Sequence, residues 1–218
     1  MRNAILFLHG KYAVADLTYY KKLARGKYLV AVDGGYSFFR KSRLTPDLLI
    51  GDFDSIGRWP HELTARTTVV QHPAYKDKTD AELAIDHCLS LGVQEITIVQ
   101  PSFGEPDQFV GNLMLLIRAA QLKKRMQGCS VHVVNRQYQV CALADGAGMI
   151  SGGRNDILSV VPISEQVVLT LSGTEYDVTN LVVKRGESRG LRNRITTSPA
   201  HVRVRGTALV IRQFPVKK

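Results

Sequence analysis

Five short runs rich in aliphatic and β-branched residues punctuate the first 143 residues: Ala4–Leu8, Tyr28–Val32, Leu48–Ile50, Glu95–Gln100 and Val131–Val134. Apolar runs of this length, bounded by polar and glycine-containing stretches, are what strands covered on both faces look like. Between them lie segments of helical character. The clearest is Thr79 to Leu91, where Leu83, Ile85, Cys88 and Leu89 offer an apolar face. Thr79 and Glu82 have the spacing of a capping box, and Gly92 supplies a stop. A second helix is expected from about Gln108 to Met126, ending near Gly128. Strand–helix alternation of this kind predicts an α/β layer around a mostly parallel sheet with flanking helices.

After about Asp145 the pattern changes. Met149–Ser151, Ile157–Val161, Gln166–Leu171, Asn180–Lys184, Ala200–Arg205 and Ala208–Arg212 read as strands, separated by Gly, Asn and Ser clusters with no helical period. This predicts a C-terminal all-β sandwich. With Asp145-Gly-Ala-Gly148 as the boundary, the expected domains are 1–143 and 144–218.

No apolar run approaches the roughly 20 residues that span a bilayer, and Ala4–Leu8 is shorter than the core of a signal peptide. Cys88, Cys129 and Cys141 are an odd number without metal-ligand spacing, which points to a reduced, cytoplasmic setting. The net charge of +10 suits an anionic partner such as nucleotide phosphates, or simply a basic soluble surface. Basic residues crowd Lys184 to Arg212 with Glu187 as the single acid, yet no aromatic residue is interleaved there. That weighs against nucleic acid, whose single strands are commonly gripped by stacking rings.

The acids carry the functional signal. Asp33 follows the second strand and precedes Gly34-Gly35. Asp52 and Asp54 follow the third, in Gly51-Asp-Phe-Asp-Ser55. Asp77 and Asp80 open a helix in Lys76-Asp-Lys-Thr-Asp80, and Asp107 lies beyond the fourth strand. If the strands are parallel, Asp33, Asp52, Asp54 and Asp107 emerge at one carboxyl edge, where open α/β sheets bind ligands. In an extended segment, residues two apart share a side, so Asp52 and Asp54 repel unless a cation sits between them. Mg²⁺ takes oxygen ligands and pairs one or two carboxylates with phosphate oxygens. Asp52 and Asp54 are therefore the best candidate ligands, with Asp33 and Asp80 supporting them. Gly34 and Gly35 would let backbone N–H groups approach a phosphate, and Lys76 and Lys78 would neutralise it. Each motif alone also has a plain reading: Asp-Gly-Gly as a turn, Thr79-Asp80 as a helix cap, Pro106-Asp107 as a turn former. His9, His72 and His87 are dispersed. It is several acids at consecutive strand ends that point to chemistry.

In order and spacing, Val32-Asp-Gly-Gly35, Pro46-Asp through Gly51-Asp-Phe-Asp-Ser55, and Lys76-Asp-Lys-Thr-Asp80 with Glu82 resemble the signature blocks of thiamine pyrophosphokinases. A later Gly-x-x-Tyr block, Gly173-Thr-Glu-Tyr176, and the β-rich end extend the likeness. The resemblance implies an α/β catalytic domain that binds ATP and Mg²⁺, a β-sandwich acceptor-binding domain, and a homodimer. It also implies transfer of the diphosphate of ATP to the hydroxyl of thiamine, giving thiamine diphosphate and AMP. Carried over by position, Asp33, Asp54, Asp80 and Asp107 take catalytic roles, and Asp52, Asp54 and Asp80 hold the metal. Gly34, Gly35, Lys76, Lys78 and Thr79 hold the polyphosphate, while Gln108, Asn112 and Asn193 hold substrate. The family's Gly-Gly-Arg-x-Asp-His block reads Phe103-Gly-Glu-Pro-Asp-Gln108 here, so Glu105 and Gln108 replace Arg and His. A Ser-Asn-Glu segment reads Arg192-Asn-Arg194. These departures leave two alternatives open: a diphosphotransferase with another acceptor, such as a pterin alcohol, and a non-catalytic ligand-binding relative.

Overall fold

The computed structural model describes residues 3–57, 63, 66–102, 104–123 and 130–215. Cys129, Phe103 and the expected end of the second helix at Met126 to Gly128 lie outside these residues. Contacts divide the chain into two compact units, Met1–Asn112 with Gly128–Arg136, and Leu113–Gln127 with Gln137–Lys218.

The first unit is built on strands β1 (Asn3–Phe7), β2 (Tyr28–Val32), β3 (Leu48–Gly51), β4 (Thr68–Gln71), β5 (Glu95–Val99) and β6 (Ser130–Val134). Their order is β6-β5-β1-β2-β3-β4, and every pairing among them is parallel. Helices α1 (Val14–Ala24), α2 (Tyr36–Ser42), α3 (Asp80–Ser90) and the start of α4 (Pro106–Lys123) connect the strands. The expected runs are thus found as strands. β4 escaped sequence reading because it is an edge strand with largely exposed side chains, so no apolar run marks it.

An aromatic cluster locks α1 and α2 to the sheet. Phe7 of β1 stacks on Phe38 of α2 with centroids 3.9 Å apart, and Tyr12, Tyr20 and Phe39 surround the pair. Phe7 and Phe38 are fully buried, each worth roughly 1.5–3 kcal/mol. On α3 the buried face is Ala81, Ala84, Ile85 and Cys88, rather than the Leu83, Ile85, Cys88 and Leu89 face expected. The alanines pass close to the sheet, while Leu83 and Leu89 are half-buried. Thr79 caps the helix as the sequence predicted, accepting from the Glu82 N–H at 3.2 Å.

The second unit contains β7 (Tyr138–Ile150), β8 (Ile157–Pro162), β9 (Gln166–Ser172), β10 (Val178–Lys184), β11 (Asn193–Arg194) and β12 (Ala200–Gln213). All of the pairings among them are antiparallel. The first half of β12 pairs with β9, and its second half with β8. One core takes inward residues from both halves, including Leu158, Val160, Leu169, Val202 and Val210. The Asp145-Gly signal lies inside β7 and opposes a register shift in β12 between Val204 and Thr207. There Asp145 has φ +45° and Gly206 φ +97°, and the Gly206 N–H donates to Asp145 Oδ1 at 2.8 Å. A turn-like sequence serves here as a bulge that redirects a long strand, which is why Ala200–Arg205 and Ala208–Arg212 read as two strands. Among the described residues, no helix is long and apolar enough to cross a membrane.

Candidate active site

Parallel pairing of β2 with β3, with Val32 opposite Ile50, brings their carboxyl ends side by side. Asp33 leaves β2 in a left-handed conformation, φ +45°, which Asp tolerates better than most residues. Gly51 ends β3 at φ +151°, and a Cβ there would stand 2.9 Å from the Asp33 Cβ. Glycine at 51 is what leaves room for Asp33. The Asp52-Phe-Asp54 segment is not extended as the sequence suggested, because Phe53 is left-handed at φ +73°. Phe53 packs against the aromatic core, and the Asp54 N–H donates back to Asp52 Oδ1 at 3.3 Å. An aspartate turn, not strand pleating, therefore brings the two carboxylates together.

The result is a cluster in which carboxylate oxygens of Asp33, Asp52 and Asp54 all lie within 4.8 Å of one another. Asp33 is 8% exposed, and its Oδ1 is buried without a hydrogen-bond partner among the described residues. Three carboxylates this close, one with an orphaned buried oxygen, fit a divalent cation with hard oxygen ligands. Asp80 stands beside this set through Lys76, whose Nζ is 2.8 Å from Asp80 Oδ1 and 3.4 Å from Asp52 Oδ2. Burial pushes the Asp52 carboxyl up, but the Asp54 N–H and the Lys76 ammonium outweigh it and hold it below its ordinary value. Burial likewise pushes Lys76 down, and Asp80 and Asp52 reverse that to leave it raised. Both therefore stay charged at neutral pH.

A cleft of about 1030 Å³ opens at this edge, lined entirely by the first unit. Of the sequence-derived residues, Asp33, Asp52, Asp80, Lys76, Lys78, Thr79, Gln108 and Asn112 line it, and Asp54 adjoins it through the carboxylate cluster. Gly34 and Gly35 are buried and are not among the lining residues: a Cβ on Gly34 would collide with the ring of the cleft residue His9, and one on Gly35 with the Phe7 carbonyl. Their smallness lets the start of α2 pack on β1. Lys78 donates to Asp86 at 2.7 Å, so its charge is already paired along α3. Asp107 is exposed and accepts from the Gln108 N–H at 2.8 Å. Asn193 belongs to the second unit.

His9, Lys11, Ser37, Lys41, Gln100 and Glu105 also line the cleft. His9 and Lys11 follow β1 at the same carboxyl edge, so the strand pattern already contained the signal that places them. Lys41 was hidden because it reaches the cleft from the far end of α2.

Residues 19–128, half of the chain, match the family described as thiamin pyrophosphokinase, catalytic domain. The chain belongs to the thiamin pyrophosphokinase family. It is 27% identical over 173 residues to the thiamine pyrophosphokinase of Bacillus subtilis (strain 168), covering 78% of each chain. Its fold is similar to the crystal structure of a Bacillus subtilis thiamine pyrophosphokinase, with TM-score 0.83 at 24% identity, covering 99% of this chain and 100% of that one. The Geobacillus thermodenitrificans thiamin pyrophosphokinase structure superposes with TM-score 0.80 at 26% identity, covering 100% and 99%.

The thiamin pyrophosphokinase likeness extends beyond the matched residues into the β-rich unit, where the Gly173–Tyr176 block has a visible role. Asn193 is 9% exposed. It donates to Thr174 Oγ1 at 3.1 Å and to the Tyr176 carbonyl at 2.8 Å, and accepts from the Tyr176 N–H at 3.1 Å. Asn193 thus shapes the turn that presents Tyr176, which is 68% exposed.

Proposed function

We propose that the chain is an ATP-dependent diphosphotransferase that moves the β,γ-diphosphate of ATP to the hydroxyl of thiamine, releasing AMP. The observation that carries this reading is the convergence of Asp33, Asp52 and Asp54 at one edge of the cleft in a chain of this family. Asp33, Asp52 and Asp54 would hold Mg²⁺, which when bound supplies charge neutralisation for the polyphosphate. Lys76 holds Asp52 and Asp80 in place through its two ion pairs. The cleft lysines Lys11 and Lys41 add positive charge for the polyphosphate. The acceptor's hydroxyl needs an acid to take or orient its proton; Asp80 lines the cleft, whereas Asp107 is exposed and engaged with the Gln108 N–H. Asp80 is therefore the acid assigned to orient the thiamine hydroxyl.

In this reading the enzyme works in the cytoplasm as a homodimer. None of the relatives named above carries a different acceptor in its name, and the pterin and non-catalytic alternatives gain no support from them. The test is direct. Purified protein incubated with ATP, Mg²⁺ and thiamine is expected to release AMP and thiamine diphosphate in equal amounts, read by mass spectrometry. ADP in place of AMP, or no product, would overturn the assignment. Light scattering on the same preparation checks the dimer.

A further inference from the structure

Two buried amides stand in the cleft wall away from the acids. Gln100 directly follows β5 and is 5% exposed; Asn112, in the second turn of α4, is 6% exposed. Both line the cleft. The Gln100 N–H donates to the Val134 carbonyl at 3.2 Å, so its backbone is held by the β5–β6 ladder. Asn112 Nδ2 donates to Gln100 Oε1 at 3.4 Å, and among the described residues neither side chain makes another hydrogen bond.

Each primary amide carries two N–H donors and a carbonyl acceptor. One long bond between them leaves a free NH₂ on one amide and a free carbonyl on the other. That holds whichever way round the pair is assigned, because turning both amides merely exchanges the roles. The free donor and the free acceptor are open to the cleft rather than sealed in the core, where a ligand can take them up. A donor beside an acceptor in a cleft wall is complementary to a ring edge bearing an amino group next to an unprotonated ring nitrogen. Adenine has that edge, and so does the aminopyrimidine of thiamine. Gln100 follows β5, two places from β2, whose end leads into Asp33, a lateral offset of about 10 Å at the usual strand spacing. The amides can therefore read a ring while the acids deal with the phosphates.

We propose that Gln100, paired with Asn112, is a specificity-determining residue that recognises the aminopyrimidine edge of a bound substrate. This rests on the ATP and thiamine reading above, and the experiment separates the two. Wild type, Gln100→Leu and Gln100→Glu are compared in two arms. One arm sets ATP against GTP, and the other sets thiamine against its analogue with a ring carbonyl in place of the amino group; in each the competitor presents the inverted edge. Gln100→Glu keeps an acceptor for Asn112 but has no donor, so it serves where the leucine variant fails to fold. Its carboxylate accepts from the ring N–H of the inverted edge and repels the bare ring nitrogen of the amino edge, so it moves the ratio in the same direction as loss of the donor.

The amino-over-oxo ratio of kcat/KM is expected to fall at least tenfold in one arm, and that arm identifies which ring is read. Ratios unchanged within twofold in both arms would overturn the proposal. The same ratios are measured as dissociation constants by calorimetry. Absence of AMP from wild type would then defeat the diphosphotransfer reading, while the binding ratios still decide the role of Gln100.

Discussion

Lys76 Nζ lies 2.8 Å from Asp80 Oδ1, joining the first residue of α3 to the acids at the ends of β2 and β3. Lys76 also reaches Asp52 at 3.4 Å, with all three side chains at most 22% exposed. One cation therefore sets the spacing of two carboxylates that would otherwise repel.

Replacing Lys76 with Met removes that clamp. Diphosphate transfer is expected to fall about ten- to a hundredfold, as for loss of a fixed charge in a catalytic cleft. Lys76→Arg is expected to recover part of it. Steady-state kinetics with ATP and Mg²⁺ varied separately check this; a variant with unaltered kcat and unaltered Mg²⁺ dependence would contradict it.

Asp33→Asn and Asp54→Asn each delete one carboxylate from the three-acid cluster. Both are expected to lose transfer by at least a hundredfold and to lack the rise in melting temperature with Mg²⁺ that is expected of the wild type. Without metal, the variants are expected to melt no lower than wild type, because a like-charge contact has been relieved. Thermal melts with and without Mg²⁺ decide the matter.

Asn193→Ala removes the partner of the Tyr176 N–H and one of the bonds to Thr174 Oγ1 and to the Tyr176 carbonyl, which keep their own bond to each other at 3.1 Å. The expected loss is about 2 kcal/mol, the scale of unsatisfied buried polar groups. Urea unfolding measures it, with the unfolding slope unchanged. A cost near zero would show that the turn does not depend on Asn193.

His132 supplies the pH test. Its Nε2 is 3.1 Å from Thr97 Oγ1, itself the acceptor of a 3.0 Å bond from Lys27 Nζ, and Glu95 Oε1 is 3.7 Å away. Burial holds the imidazole pKa below its ordinary value; Glu95 pulls it up and Lys27 pushes it down. A pKa lower in the folded chain means that the unfolded chain binds the proton more readily. Stability is then fully present above the unfolded pKa of about 6.5 and lost as pH falls through the folded value. Melting temperature is expected to drop by a few degrees between about pH 7 and 5, and His132→Gln is expected to flatten that part of the curve. A wild type and variant with parallel curves would remove His132 as the cause.

The sheet of the first unit was legible because most of its parallel strands are short, largely apolar runs, and Asp33, Asp52 and Asp54 were legible because they fall directly after two of those runs. β4 was not, since an edge strand needs no apolar signature. Asp145-Gly was read as a boundary because a bulge and a turn use the same residues. Gly34 and Gly35 were assigned to phosphate, whereas their neighbours show a packing need. No local pattern reveals that His9 will lie against Gly34, because that contact joins the ends of different strands. Gln100 was similarly silent as a site residue: its significance depends on Asn112 and on the burial of both.

By itself, the amino-acid sequence determined the alternation of strands and helices, the β-rich C-terminal region and the family, since all three are written in short-range periodicity and in motif order. Tertiary structure decided which acids meet. The left-handed turn at Phe53 comes from burying that ring in the core, and the reach of Lys76 to Asp52 from docking α3 against the sheet. Convergence of side chains is a property of packing between segments distant along the chain, and no local pattern encodes it.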